Sequence, residues 1–75
     1  MMIKIILHQY LAKDTYRKEI IVNIDGDVPL ESLLKIIDVS LNEVGIIIVN
    51  GQWQSPKYVV KDGDTVELFP NILGG

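Results

Sequence analysis

The residues best suited to chemistry in this sequence are the two glycines at its end, Gly74 and Gly75. Pro70 interrupts the strand pattern before them, because proline has no N–H to donate to a sheet. Five residues follow Pro70, and fully extended they reach roughly 16–18 Å. Because Gly74 and Gly75 have no Cβ, this segment fits a channel too narrow for side chains. The group that it would deliver there is the α-carboxylate of Gly75.

The composition limits what other chemistry is available. The 75 residues predict one domain, and the absence of cysteine excludes disulfides, zinc–thiolate sites and thiol nucleophiles. The formal net charge of −3 disfavours binding to a nucleic-acid backbone. No apolar run approaches the roughly 20 residues that span a bilayer, and the first residues lack a signal-peptide pattern. We therefore expect a cytoplasmic protein with neither a membrane partner nor a nucleic-acid partner.

Four main strands are predicted from the apolar runs. Met2–Tyr10 is almost entirely apolar, which is typical of a strand at the centre of a sheet. Glu19–Ile24 alternates and follows the polar loop Leu11–Lys18, so the first two strands form an antiparallel hairpin. Ile46–Val49, which Gly45 precedes, predicts the third strand and Thr65–Phe69 the last.

One helix is predicted between the second and third strands. After Asp27 the apolar residues recur at helical spacing: Leu30, Leu33, Leu34 and Ile37. Asp27 is the predicted N-cap, Pro29 lies in the first turn, and the helix ends near Val39. About ten residues are too few for a stable isolated helix, so it has to pack on the sheet.

Two turns and one ambiguous segment complete the chain. Asn50-Gly51 is a strong hairpin signal, because both residues accept a positive φ, and Gln52–Gln54 would begin the return strand. Lys61–Asp64 predicts a second turn, with Gly63 in the left-handed region. Tyr58–Val60 is compatible with a short strand or with a single helical turn.

These elements predict an α+β fold of two layers. Placing the last strand parallel to the first puts the two most central strands together, which gives a β-grasp (ubiquitin-like) architecture. We expect a mixed sheet of four to five strands with one helix packed on one face. Residues 1–70 form this domain, and a flexible C-terminal Gly-Gly tail, residues 71–75, follows.

This chain resembles the ThiS/MoaD family of ubiquitin-like sulfur carrier proteins over its whole length. Besides the order of the elements, the resemblance rests on four motifs: Val49-Asn50-Gly51, Asp62-Gly63-Asp64, Leu68-Phe69 and Gly74-Gly75. The Asp-Gly-Asp turn, the last strand, the short tail and the terminal Gly-Gly stand at family spacing. Pro70 is similar to the molybdopterin branch, and the long loop Leu11–Lys18 departs from the thiamine branch. The branch therefore stays open.

The resemblance implies a carrier that is the substrate of an enzyme and has no catalytic residue of its own. A ubiquitin-activating-like adenylyltransferase adenylates the terminal glycine carboxylate with ATP, and a sulfur donor then converts it to a thiocarboxylate. An acceptor synthase uses the sulfur to make molybdopterin or the thiamine thiazole. The reacting residue would be Gly75, with Gly74 beside it. The chain has no glycine-rich phosphate loop, so no cofactor is expected on it and ATP belongs to the partner. We expect a monomer when it is free.

The partner-binding residues are predicted from strand alternation and from the tail. Val66 and Leu68 take the core phase, so Phe69 points to the other face of the sheet. An apolar patch on an uncovered sheet face usually marks a binding site. The predicted partner-binding residues are Phe69, Pro70, Ile72, Leu73, Ile6 and Ile21, with one phase of Ile46 and Ile48.

Other residues with possible chemistry have simpler interpretations. His8 is the single histidine, and without companions it is predicted to be a surface or half-buried strand residue with no metal role. Asp62 and Asp64 flank a turn glycine, where carboxylates usually serve the turn and not a metal. Trp53 is predicted to pack over the edge of the core. Arg17 belongs to a small basic loop that is predicted to be solvated.

Two other function classes stay open. The first is a protein modifier joined through Gly75 to lysines of target proteins, which requires the same tail and the same activation. The second is a β-grasp interaction module in which the glycines are incidental.

Overall fold

The computed structural model describes residues 1–71. Ile72, Leu73, Gly74 and Gly75 were all predicted to act in the tail, and they lie outside the described residues. The elements follow one another in this order: β1 (Met2–His8), a first 3₁₀ helix (Gln9–Ala12), β2 (Arg17–Asn23), α1 (Leu30–Ile36), a second 3₁₀ helix (Leu41–Glu43), β3 (Val44–Val49), β4 (Gln52–Trp53) and β5 (Thr65–Pro70).

The five strands form one mixed sheet in the order β2-β1-β5-β3-β4. β1 and β5 pair in parallel at its centre, and the other neighbouring strands pair antiparallel. The predicted α+β β-grasp is confirmed, including the parallel pairing of the first and last strands.

The core lies between α1 and one face of the sheet. Side chains that alternate along β1 and β5 meet the leucines of α1 there, and all of them are buried: Ile3, Ile5, Leu7, Val66, Leu68, Leu30, Leu33 and Leu34. The predicted apolar face of the helix is therefore correct, with Ile37 half-buried against the same cluster.

Both predicted ends of the helix were wrong: α1 ends at Ile36 and not near Val39, and it begins later than expected. Pro29 and not Asp27 is the N-cap, and it makes no side-chain capping bond. Pro29 has an extended backbone and bridges Val59, while the N–H of Val60 donates to the carbonyl of Val28. Because residues 28 and 29 are paired as extended chain, α1 cannot begin before Leu30. The same bridge shows that Tyr58–Val60 is neither a strand nor a helical turn, because only Val59 pairs, with Pro29.

Other boundaries differ by a few residues. The predicted loop Leu11–Lys18 contains two ordered ends: Leu11 is buried in the first 3₁₀ helix, and Lys18 pairs with Leu7 in the hairpin. Pro70 was predicted to lie just after the last strand. It is instead the last residue of β5 and pairs with Val44.

Both predicted turns are confirmed. Asn50 and Gly51 have φ values of 51° and 84°, and Gly63 has a φ of 85°. Asn50 Nδ2 donates to Asp64 Oδ1, and the N–H of Thr65 donates to Asn50 Oδ1. The two turns therefore lie side by side and fix the relative position of β3 and β5.

No helix within residues 1–71 is long and apolar enough to cross a membrane.

Candidate functional site

The face of the sheet opposite α1 is termed here the open face, because no helix of the described chain packs over it. Strand register arranges its side chains in rows. The longest row crosses all five strands through Glu19, Ile6, Glu67, Ile48 and Trp53. A second row consists of Arg17, His8, Phe69 and Ile46. Lys4 and Ile21, which pair with each other, lie on the opposite side of the first row.

Phe69 lies on the open face as the alternation predicted. Its ring stacks on the imidazole of His8, with centroids 4.1 Å apart and planes 4° from parallel. Nε2 of His8 donates to Oε1 of Glu67 at 3.0 Å, because an ionised carboxylate can only accept. His8 is therefore the half-buried strand histidine predicted from the sequence, and it holds the ring of Phe69 in one orientation.

The two other strand residues predicted to bind a partner are exposed to different extents. Ile6 lies on the open face but is only 6% exposed, whereas Ile21 is 54% exposed. Ile6 has Glu19 and Glu67 as its cross-strand neighbours, and their side chains rise on either side of it. Ile6 is thus too buried to offer contact area on the open face. The accessible apolar area there comes from Ile21, Ile46 and Phe69.

The prediction that Trp53 packs over the edge of the core was wrong. Trp53 is 74% exposed, and its register partner is Ile48 on the open face. Cross-strand partners point to the same side of a sheet. The signal was therefore present in the sequence: the two-residue turn at Asn50-Gly51 fixes the register that puts Trp53 beside Ile48.

Charged side chains border the open face on the side of β2. Arg17 Nη1 donates to Glu19 Oε2 at 2.8 Å, and Lys4 Nζ is 3.8 Å from Glu19 Oε1. The hydrogen bond from Arg17, its charge and that of Lys4 lower the pKa of Glu19 below its ordinary value. These pairs are exposed to solvent, so they contribute little to stability. Arg17, which was predicted to lie in a solvated loop, is the first residue of β2.

The chain leaves the sheet next to the open face. Pro70, a predicted partner-binding residue, is buried at the end of β5. Asn71, the first residue of the predicted tail, donates its N–H to the carbonyl of Glu43 at 2.8 Å. The hydroxyl of Tyr10 donates to the carbonyl of Asn71 at 3.1 Å. The backbone is therefore held for one residue beyond the strand.

Asp64 serves the turn that precedes β5, as the sequence predicted. It is buried and accepts hydrogen bonds from Asn50 Nδ2, the Tyr58 hydroxyl and the N–H of Lys61 at 2.8 to 2.9 Å. Burial acts to raise the pKa of Asp64, but these bonds outweigh it, and the pKa lies below its ordinary value. The same contact with Asp64 raises the pKa of Tyr58.

The sequence of this chain matches the family model described as Mut7-C ubiquitin over residues 3–73. The chain belongs to the Mut7-C ubiquitin family. Its ubiquitin-like character, predicted from the order of the elements and the glycine motifs, is confirmed. No curated protein sequence matches the chain.

Two solved structures share the fold of this Mut7-C ubiquitin chain. SAMP1 from Haloferax volcanii is 18% identical, with a TM-score of 0.72, and 100% of each chain is covered. A chain from the complex of subunits 1 and 2 of molybdopterin-converting factor from Helicobacter pylori 26695 is 21% identical, with a TM-score of 0.63 and 100% of each chain covered. At these identities the likeness shows the fold alone.

The open face is the candidate site in the described part of this Mut7-C ubiquitin chain. Within residues 1–71, no group of three or more His, Cys, Asp or Glu side chains could hold a metal ion. On the open face, apolar side chains lie on both sides of the acidic Glu67 of the middle strand β5, and charged side chains border the face on the side of β2. The face lies beside Asn71, three residues before Gly74.

Proposed function

We propose that this protein is a sulfur carrier whose C-terminal glycine, Gly75, is activated by a partner enzyme. It would act as a substrate and carrier and not as an enzyme. The sulfur is proposed to enter molybdopterin or thiamine thiazole synthesis, the two pathways that the resemblance implies.

The observation that carries this proposal is the position of Phe69. It is the last open-face residue of β5, two residues before Asn71, with which the described part of the chain ends. An enzyme that docks on the open face would therefore find the departing chain at the edge of its contact surface. Membership of a ubiquitin-like family and the Gly74-Gly75 motif support the same interpretation.

The proposed chemistry needs a partner because a free carboxylate is a poor acyl donor. One carboxylate oxygen of Gly75 attacks the α-phosphorus of ATP, and the bond to pyrophosphate breaks. Attack by a hydrosulfide equivalent on the carbonyl carbon of this mixed anhydride then releases AMP and leaves the thiocarboxylate. ATP and its metal ion are proposed to bind to the adenylyltransferase, the hydrosulfide to come from a sulfur donor, and an acceptor synthase to consume the thiocarboxylate.

The test is intact mass spectrometry of the protein after coexpression with the adenylyltransferase of its own organism. A mass gain equal to one oxygen-to-sulfur exchange, located in the C-terminal peptide, is the expected result. The unmodified mass also has to place Gly75 at the C-terminus of the mature protein. Isopeptide-linked products would instead indicate a protein modifier, and an unchanged mass would contradict both activities and leave an interaction module.

A further inference from the structure

Three separate parts of the chain meet where β5 ends. The N–H of Asn71 donates to the carbonyl of Glu43, and the hydroxyl of Tyr10 donates to the carbonyl of Asn71. Glu43 ends the second 3₁₀ helix, and Tyr10 lies in the first. Both backbone polar groups of Asn71 are thus held, one by each 3₁₀ helix.

Gly45 closes this arrangement from a third side. It is the extra residue at a register shift, because Val44 lies opposite Pro70 and Ile46 lies opposite Phe69. A Cβ at Gly45 would lie 2.8 Å from the carbonyl oxygen of Pro70 and 3.0 Å from Cα of Asn71. Gly45 is not among the residues of positive φ, so its glycine is required by space and not by backbone conformation. Bulges of this kind redirect a strand end and are frequent beside functional sites.

Local structure holds in place Tyr10 and Glu43, the two hydrogen-bonding partners of Asn71. Gln9 takes a φ of 55° and donates its N–H to the carbonyl of Tyr16 at 2.7 Å, while Leu11 is buried in the core. These contacts hold Tyr10 over Asn71. On the other side, Ser40 and Glu43 form a capping box around the second 3₁₀ helix, which orients the carbonyl of Glu43.

We propose that Tyr10, Glu43 and Gly45 form a clamp on Asn71 that aims the reacting end of the chain. The clamp rests on the proposed function and adds to it three positioning residues that do not touch the reacting atoms. Four residues follow Asn71, and fully extended they reach roughly 13–14 Å. Because the clamp fixes Asn71 relative to the open face, it fixes the point from which these four residues reach the reaction centre of a docked enzyme, where a misplacement of about 1 Å can lower a rate by about 100-fold.

The clamp can be tested on the free protein by hydrogen exchange at the Asn71 amide, followed by NMR. In the wild type this amide should be protected, because its N–H is bonded to Glu43. Tyr10→Phe should speed its exchange by roughly 2- to 10-fold, the factor expected for the loss of one hydrogen bond, and Gly45→Ala should abolish the protection. Tyr16→Phe is the matched control, since this exposed tyrosine of the same loop should leave the exchange unchanged. An unprotected wild-type amide, or one insensitive to both variants, would overturn the clamp.

The positioning role is tested by steady-state kinetics of ATP–pyrophosphate exchange with the adenylyltransferase of the same organism. Tyr10→Phe should lower kcat by roughly 2- to 10-fold and leave KM for the carrier within about twofold, because the open face is intact. Gly45→Ala should lower kcat further, and a thermal melt of each variant reports whether the fold is retained. Wild-type kcat in both folded variants would refute the positioning role. If the wild type itself supports no exchange, the proposed function fails, and the positioning role fails with it; the hydrogen-exchange data then decide whether Asn71 is clamped.

Discussion

The imidazole of His8 lies flat on the ring of Phe69, and its Nε2–H is bonded to the carboxylate of Glu67. The three residues belong to β1 and β5, which pair with each other and each have a further strand on their other side. The stack and this hydrogen bond together hold the ring of Phe69 in one orientation on the open face. A prearranged aromatic side chain of this kind loses little conformational freedom on binding, which favours affinity.

Phe69→Asp should separate docking from folding. The variant loses the ring stack and so about 0.5–1.5 kcal/mol of stability, yet it should remain folded because Phe69 is outside the core cluster. The new carboxylate would be buried against the partner without a counter-charge. The KM of the adenylyltransferase for the carrier should therefore rise by roughly 10-fold or more. Denaturant melts and pyrophosphate-exchange kinetics measure the two effects.

Ile36→Asp is the matched control for this substitution. Ile36 is also an exposed apolar residue, but it lies on α1, on the other layer of the domain. The KM of the adenylyltransferase for the Ile36→Asp carrier should equal its KM for the wild-type carrier. A Phe69→Asp protein that unfolds, or that is activated with the wild-type KM, would show that Phe69 is not a docking residue.

Leu34→Ala should destabilise the whole domain. Leu34 is 1% exposed and packs between α1 and the sheet, so truncation should cost about 2–5 kcal/mol. A domain of this size has roughly 5 kcal/mol in total or somewhat more, and the variant should therefore populate the unfolded state. Urea melts measure the loss, with Ile36→Ala expected within about 0.5 kcal/mol of the wild type. A loss below about 1 kcal/mol for Leu34→Ala would contradict the assigned packing of α1.

The strands and their faces could be predicted because their signals are local. Alternation in Thr65–Phe69 gives the face of Phe69, and Asn50-Gly51 forms its turn because both residues accept the required φ. The start of α1 could not be predicted in the same way, because Asp27 is a suitable cap by residue type. A pairing with Val59, distant in sequence, holds Pro29 extended instead.

The contact between Tyr10 and Asn71 was equally beyond local reasoning. The two residues are 61 positions apart, and they meet only because Gln9 adopts a left-handed backbone that turns the chain after β1. Glutamine gives no sequence signal for that conformation, which normally favours glycine or asparagine. Residues that hold the end of β5 therefore became visible only in the folded structure.

Asp64 should make stability depend on acid pH. Its folded-state pKa is below its ordinary value of 3.8, so the folded state holds the proton less tightly than the unfolded state does. The stability it contributes is therefore present above about pH 4 and is lost as the pH falls through the folded-state pKa. Asp64→Asn should lower stability at pH 7 by about 1–3 kcal/mol, because a bonded buried acceptor is lost.

Urea melts between pH 2 and pH 7 check this prediction. The loss of stability below pH 4 should be smaller in Asp64→Asn than in the wild type. Asp25→Asn, at an exposed position just after β2, should keep the wild-type stability and pH profile. Equal pH profiles for wild type and Asp64→Asn would refute the role given to Asp64.

The position of Gly75 carries most of the proposed function. If its carboxyl carbon is the reacting atom, one residue added after Gly75 moves the carboxylate by roughly 3.5 Å. A displacement of that size should lower pyrophosphate exchange by orders of magnitude, because attack geometry matters at about 1 Å. Gly75→Ala should also lower exchange, since it adds a methyl group where a narrow channel has no room. Both proteins should melt at the wild-type temperature, because the core is built from other residues. Equal exchange by the wild type, Gly75→Ala and the extended chain would exclude both the carrier and the modifier and leave the interaction module.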